Sequence, residues 1–135
     1  MKSKLHLDAE IYQELIDFYG GVFSLTPLSA KIYAYLAFDF EKNGLTFDDL
    51  VDTFCASKSS VSSSVNFLLN ANLIKTINKI DERKRYFIIN NDFVKIRFEE
   101  IANRMKQEIK ILDQLNNYRE SQLESSQLSE RYSIY

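Results

Sequence analysis

Glycine and proline are scarce in this chain, with three and one among 135 residues. So few glycines leave no phosphate-cradling glycine loop, and the shortage of both breakers favours a mainly helical chain. A single cysteine, Cys55, excludes an internal disulfide, and a single histidine, His6, leaves no Cys/His set at metal-ligand spacing. No apolar run approaches the ~20 residues that span a bilayer. The first twenty residues carry Asp8, Glu10, Glu14 and Asp17, which a signal peptide does not tolerate. The expected compartment is therefore the cytoplasm. Asp48-Asp49 and Glu99-Glu100 read as helix surface, and no nucleophile–base constellation can be assembled. Neither catalysis nor a cofactor is expected.

What is present is an ordinary globular composition, 45% apolar and 27% charged, in a length that suits one domain with a core of its own. The net charge of −2 argues against a polyanionic partner, but its distribution argues the other way. Between Cys55 and Asn90 lie Lys58, Lys75, Lys79, Arg83, Lys84 and Arg85 against only Asp81 and Glu82. Everything else holds 11 basic and 17 acidic residues. The chain is an acidic body with one basic region.

Hydrophobic spacing divides the chain into ordered segments. Leu7 to Phe23 reads as an amphipathic helix, with Asp8 as cap, a stripe of Ile11, Leu15, Phe18 and Val22, and Tyr12, Ile16, Tyr19 and Phe23 widening it. Gly20-Gly21 is expected to end or kink it. Thr26-Pro27 starts a second helix, a capping hydroxyl before proline at the first helical position, with Leu28, Ile32, Tyr35 and Leu36 inward. Thr46, with Asp49 three residues on, caps a short third helix whose Phe47, Leu50, Val51 and Phe54 face in. Ser57 opens a fourth, burying Val61, Val65, Leu68 and Leu69. Two β-like runs come next, 73–77 and 85–89, joined by the polar turn Asp81-Glu82-Arg83-Lys84. Asp92 is expected to cap a long last helix, which loses its apolar stripe after Tyr118. The expected fold class is mainly α with a small β-hairpin wing: a winged helix-turn-helix over 26–90, flanked by dimerisation helices at 1–23 and 92–120, in a single domain over 1–135.

The fourth helix carries the informative face. Ser59, Ser63, Asn66 and Asn70 point outward, flanked by Lys58, Ser60 and Ser62. Serine is a poor helix former, whereas small hydroxyl and amide side chains let a helix backbone approach a nucleic-acid groove and read its edges. The alternative is a solvated face whose serines only cap and turn. In the hairpin, Arg83, Lys84 and Arg85 are placed to reach phosphates or the minor groove, with Asp81 orienting Arg83, and Lys75 and Lys79 add to the same basic region. The last helix offers Ile101, Met105, Ile109, Leu112 and Leu115 with no later helix to cover them. Pairing with a second copy, joined by Leu15 of the first helix, is the economical solution. Packing on the chain's own first helix is the alternative. Cys55 is expected to be a small buried residue of the turn before the fourth helix, and His6 a solvated one. The early aromatics, Tyr12 to Phe40, are core, and some could also hold a flat or cationic effector between the first two helices and the last.

Three segments taken together resemble the MarR superfamily of transcription factors, nearest the branch of the glycine-betaine-responsive repressor. They are Leu45-Thr46-Phe47-Asp48-Asp49-Leu50-Val51, Ser57-Lys58-Ser59-Ser60-Val61-Ser62, and Leu73-Ile74-Lys75 leading into Asp81-Glu82-Arg83-Lys84-Arg85-Tyr86-Phe87. The resemblance runs from about Gly20 to Asn90. It implies a winged-helix homodimer on double-stranded operator DNA, a small-molecule effector that relieves binding, Lys58 to Asn66 in the major groove, and Asp81 with Arg83 as the wing's aspartate–arginine signature. This chain departs from the pattern at the wing tip, where Ile80-Asp81-Glu82 stands in place of glycine, and beyond Tyr118. The competing expectation, motivated by the acidic total, is a winged-helix protein–protein module that binds no DNA.

Overall fold

The computed structural model describes residues 4–80 and 82–132, for 127–132 the backbone alone. The elements run α1 (Ala9–Val22), α2 (Pro27–Leu36), α3 (Phe47–Phe54), α4 (Lys58–Asn70), β1 (Ile74–Asn78), β2 (Arg85–Ile89) and α5 (Asn91–Tyr132). The chain is mainly helical with one small antiparallel hairpin, as the patterning predicts. It divides into two compact units, Met1–Val94 and Lys95–Tyr135.

Local capping starts the helices of the first unit where the sequence places them. The Asp8 carboxylate accepts from the Ile11 N–H at 2.9 Å. Thr26 Oγ1 accepts from the Ser29 N–H, with Pro27 at the first helical position. Thr46 and Asp49 form a complete capping box: Thr46 Oγ1 accepts from the Asp49 N–H at 3.1 Å, and the Asp49 carboxylate from the Thr46 N–H at 2.9 Å. Lys4 Nζ adds an ion pair to the other Asp49 oxygen at 2.8 Å. Burial alone would raise the Asp49 carboxyl, but the Lys4 ammonium and the Thr46 donors outweigh it and hold it below the usual carboxylate range. This support is present above the ordinary carboxylate range and is lost as pH falls through the depressed value. Thr46→Ala should cost about 1 kcal/mol in urea unfolding at neutral pH. Asp49→Asn should destabilise there too, its gap from wild type closing as the solution is acidified.

Helix α2 is the centre of the core. Ile32, Tyr33, Ala34, Tyr35 and Leu36 are all essentially inaccessible, and α2 packs against α1, α4 and β2. Leu50 of α3, Val61, Val65 and Leu68 of α4, and Leu73, Ile74 and Phe87 of the hairpin complete it. The hairpin register pairs Ile74 with Ile89 and Asn78 with Arg85. On the other edge of β2, Leu45 exchanges both backbone hydrogen bonds with Phe87, at 3.1 and 2.8 Å. This single-residue third strand, which sequence patterning does not predict, ties the segment before α3 to the wing.

Several expectations change. Gly20-Gly21 lies inside α1, which runs on to Val22. The helix stops at Ser24, whose left-handed φ of 52° lets the Leu25 N–H reach back to the Gly20 carbonyl at 3.0 Å. The stripe of α1 turned toward α2 is Tyr12, Ile16, Tyr19 and Phe23, with Tyr19 edge-on to Tyr33 at 4.8 Å between centroids. Ile11, Phe18 and Val22 of the other stripe stay exposed, Phe18 by 55%. Cys55 is at the expected turn but exposed, because it closes α3 in the left-handed conformation (φ 50°) with its side chain outside the core. Asp92 sits in the first turn of α5, one residue inside the helix, where its charge still suits the positive end of the dipole.

The second unit is the remainder of α5. The helix does not stop near 120 but runs to Tyr132 in one piece of 42 residues. Its Ile109, Leu112, Leu115 and Met105 are each at least half exposed. No described helix is long and apolar enough to cross a membrane.

Candidate nucleic-acid interface

Helix α4 is presented by the tight turn Cys55-Ala56-Ser57. Ser57 Oγ accepts from the Ser60 N–H at 3.2 Å and donates to Ser60 Oγ at 2.8 Å, with Ser59 Oγ 3.3 Å away. The first serines thus cap the helix, which accounts for part of their abundance. Farther along, Val61, Val65 and Leu68 point into the core. Ser63 and Asn66 lie on the exposed face, and the Asn66 amide makes no hydrogen bond among the described residues, which leaves its donors and acceptor free for a base edge.

Two troughs flank that face. The first, about 300 Å³, is lined by the start of α3 (Thr46, Phe47, Asp48), by Ser62, Val65 and Asn66 of α4, and by Lys84, Arg85 and Phe87 of the hairpin. Residues more than fifteen positions apart in sequence, Ser62 and Asn66 against Lys84 and Arg85, therefore share one concavity. The second, about 520 Å³ and more open, runs between the start of α2 (Thr26, Pro27, Leu28) and Ser59, Ser60, Ser63 and Ser64 of α4. Asp48, which the sequence suggests is plain helix surface, is among the residues lining the first trough. Its proximity to the wing is a tertiary fact that no local pattern signals.

The remaining basic residues distribute unevenly. Lys58, Lys75, Arg83, Lys84 and Arg85 are exposed and pair with no described carboxylate. Arg85 lies 5.8 Å from the Phe87 ring centroid. Lys79 rests its Nζ 4.0 Å from the centroid of the Tyr86 ring. The Tyr86 hydroxyl donates to the Glu82 carboxylate, which raises the phenol above its ordinary range. Lys75, Lys79 and Arg83 line neither trough. The Asp81 half of the expected aspartate–arginine signature lies outside the described residues.

A smaller cavity of about 220 Å³, within the first unit, is lined by Tyr19, Tyr33, Leu36, Asp39, Phe40 and Lys42 together with Ile89, Asn91 and Val94. Burial pushes the Tyr33 phenol well up, so it stays neutral. Asp39 spends its carboxylate on the Asn43 and Gly44 N–H groups, at 3.1 and 2.8 Å. Among the described residues no group of three or more His, Cys, Asp or Glu could hold a metal ion.

No family model matches the sequence, and no curated protein matches it. Solved structures do. A mutant of MepR from Staphylococcus aureus, bound to an oligodeoxyribonucleotide, aligns over 94% of this chain and 92% of that one with 18% identity and a TM-score of 0.51. MepR itself, a transcription regulator of the S. aureus multidrug efflux pump MepA, aligns over 93% and 91% with 20% identity and a TM-score of 0.49. Against a further transcriptional regulator the match spans 59% of this chain and 53% of that one, with 19% identity and a TM-score of 0.49. At these identities the likeness is one of fold: this chain shares the winged helix-turn-helix architecture of the DNA-bound MepR mutant.

Proposed function

We propose that this protein is a DNA-binding transcriptional regulator, acting as a repressor and as a homodimer on a palindromic operator. The observation that carries the reading is the first trough, where the Asn66 amide and the Ser62 hydroxyl of α4 face the same space as Lys84 and Arg85 of the wing. A helix entering the major groove needs short polar side chains on its face and cations at its flank, and this arrangement supplies both. Lys58 to Asn66 would read the groove, while 79–85 would contact backbone or minor groove. The fold shared with a DNA-bound MepR mutant supports the same reading. The residues around Thr46, Ser57 and Arg83 favour the glycine-betaine-responsive branch of the family. The 220 Å³ cavity is the place for a small-molecule effector.

Two exposed apolar stripes favour the homodimer: Ile11, Phe18 and Val22 on α1, and Met105, Ile109, Leu112 and Leu115 on α5. An exposed row of this kind over several helical turns calls for a partner, and a two-fold pair would present two copies of α4 to one duplex. Ile109→Glu with Leu112→Glu should convert a dimer to a monomer in sedimentation velocity and abolish tight operator binding. A monomeric wild type would contradict the dimer. The function is tested by selecting binders from random duplexes with the whole protein, then measuring retardation at low and moderate salt. Retention of a palindromic sequence is expected. A clean dimer that retards no duplex at low salt would instead favour the protein–protein module.

A further inference from the structure

The basic hairpin ends in an apolar side chain. Ile80 is 92% exposed, more than any other large hydrophobic described. The Glu82 N–H donates to the Lys79 carbonyl at 3.2 Å, which closes a four-residue turn with Ile80 at its second position. Such positions ordinarily go to proline, glycine, asparagine or aspartate, each for a backbone reason that a β-branched residue does not meet. Ile80 therefore gains nothing from the turn and loses hydrophobic free energy to water.

Both ends of the turn are braced. The Lys79 ammonium lies over the Tyr86 ring, and the Tyr86 hydroxyl donates to the Glu82 carboxylate. One β2 side chain thus ties down the residues on either side of the tip, so Ile80 stands out from a supported position. Next in sequence come Arg83 and Lys84, cations without a described carboxylate partner. The tip is mixed in charge, but the cations at 79, 83 and 84 outnumber the carboxylates of Asp81 and Glu82, the latter held by Tyr86. An apolar point among those cations suits a ligand with anionic edges and an apolar interior. The minor groove of a duplex has that form, phosphates along both rims with sugar and base faces between them. An anionic bilayer shares the chemistry, but surface binding there rests on a broad apolar face, and this hairpin offers one side chain. Lys84 also lines the trough with Asn66, which joins the hairpin to the proposed duplex-facing surface.

We propose that Ile80 is an apolar wedge that enters the minor groove and opens a flexible pyrimidine–purine step, adding a preference for such a step at the wing's position. The proposal rests on the DNA-binding reading. It is tested with the full chain and a selected duplex carrying 2-aminopurine at that step, comparing wild type, Ile80→Ala and Lys84→Ala. Ile80→Ala should keep the wild-type unfolding midpoint, lose about tenfold in affinity by forfeiting most of an isoleucine's burial, and lose the fluorescence rise that reports unstacking, with its salt slope unchanged. Lys84→Ala should instead lower the slope by about 0.9 per protomer and keep the fluorescence rise at saturation. Wild-type affinity and fluorescence in Ile80→Ala would overturn the wedge while leaving DNA binding intact. Loss of binding to phosphatidylserine vesicles in Ile80→Ala, with duplex affinity untouched, would overturn it in favour of a membrane contact. A wild type that binds no duplex would bring down the DNA reading and the wedge with it.

Discussion

Replacing Lys84 and Arg85 together by alanine should weaken binding to every duplex alike, by about tenfold to a hundredfold at moderate salt. Both side chains are exposed, line the trough beside α4 and pair with no described carboxylate. Their charges are therefore unspent in the free protein, and pairing with phosphate would release condensed counterions. Each phosphate interaction removed lowers the slope of log affinity against log salt by about 0.9 per protomer. The double variant should thus show a visibly flatter salt dependence, its deficit greatest at low salt. Neither side chain is in the core, so the unfolding midpoint should stay near that of wild type. Asn66→Ala offers the contrast: it removes an amide from the lining of the same trough without removing charge. Its salt slope should hold while preference among sites relaxes by about 1–3 kcal/mol at one base pair. Fluorescence anisotropy titrations across a salt series separate the two behaviours. A double variant with the wild-type slope would mean the wing does not meet phosphate.

The second large effect is expected at Gly44, which lines neither trough. Gly44 has a φ of +83°, and a Cβ added there would lie 2.6 Å from the Tyr86 Cβ. The turn cannot relax easily, because the Asp39 carboxylate holds the Asn43 and Gly44 N–H groups and Leu45 is bonded to Phe87 on both backbone groups. Left-handed strain of about 1–3 kcal/mol adds to overpacking of similar size, so Gly44→Ala should cost roughly 2–6 kcal/mol in urea unfolding. Relief by movement of Tyr86 would displace the neighbouring Arg85 and slacken the hold on Glu82 and Lys79. DNA affinity should therefore fall along with stability, although Gly44 itself touches no ligand. Wild-type stability in Gly44→Ala would show that the Leu45–Phe87 connection carries little weight.

Much of this architecture was legible because its signals are local. Thr26 before Pro27, Thr46 with Asp49, and Ser57 before a run of serines each satisfy their own helix within one turn, so sequence spacing suffices. The hairpin was readable for a similar reason, with boundaries moved by one residue at β1. The features that escaped depend on distant partners. Two adjacent stripes of α1 share the helical period, and only packing against Tyr33 selects the one containing Tyr19. Leu45 becomes a third strand position through Phe87, forty-two positions away, and a single residue leaves no periodicity to read. The exposure of Cys55 comes from a left-handed backbone that its flanking Phe54 and Ala56 do not announce. For the candidate site, the sequence supplied the residue types on α4 and the wing. Which of them share a trough, and that Asp48 joins its lining while Lys79 turns to Tyr86, depends on how the hairpin folds back on α3 and α4.

Whether the α4 face and the wing meet a duplex as one surface is decided by amide chemical-shift mapping during titration with a selected duplex. Ser62, Asn66, Lys84 and Arg85 should shift together over the same range of added duplex, with Ile11 and Phe18 on the far stripe of α1 unmoved. Shifts confined to the wing, or Ser62 and Asn66 signals still in place once the duplex is saturating at low salt, would contradict a shared surface.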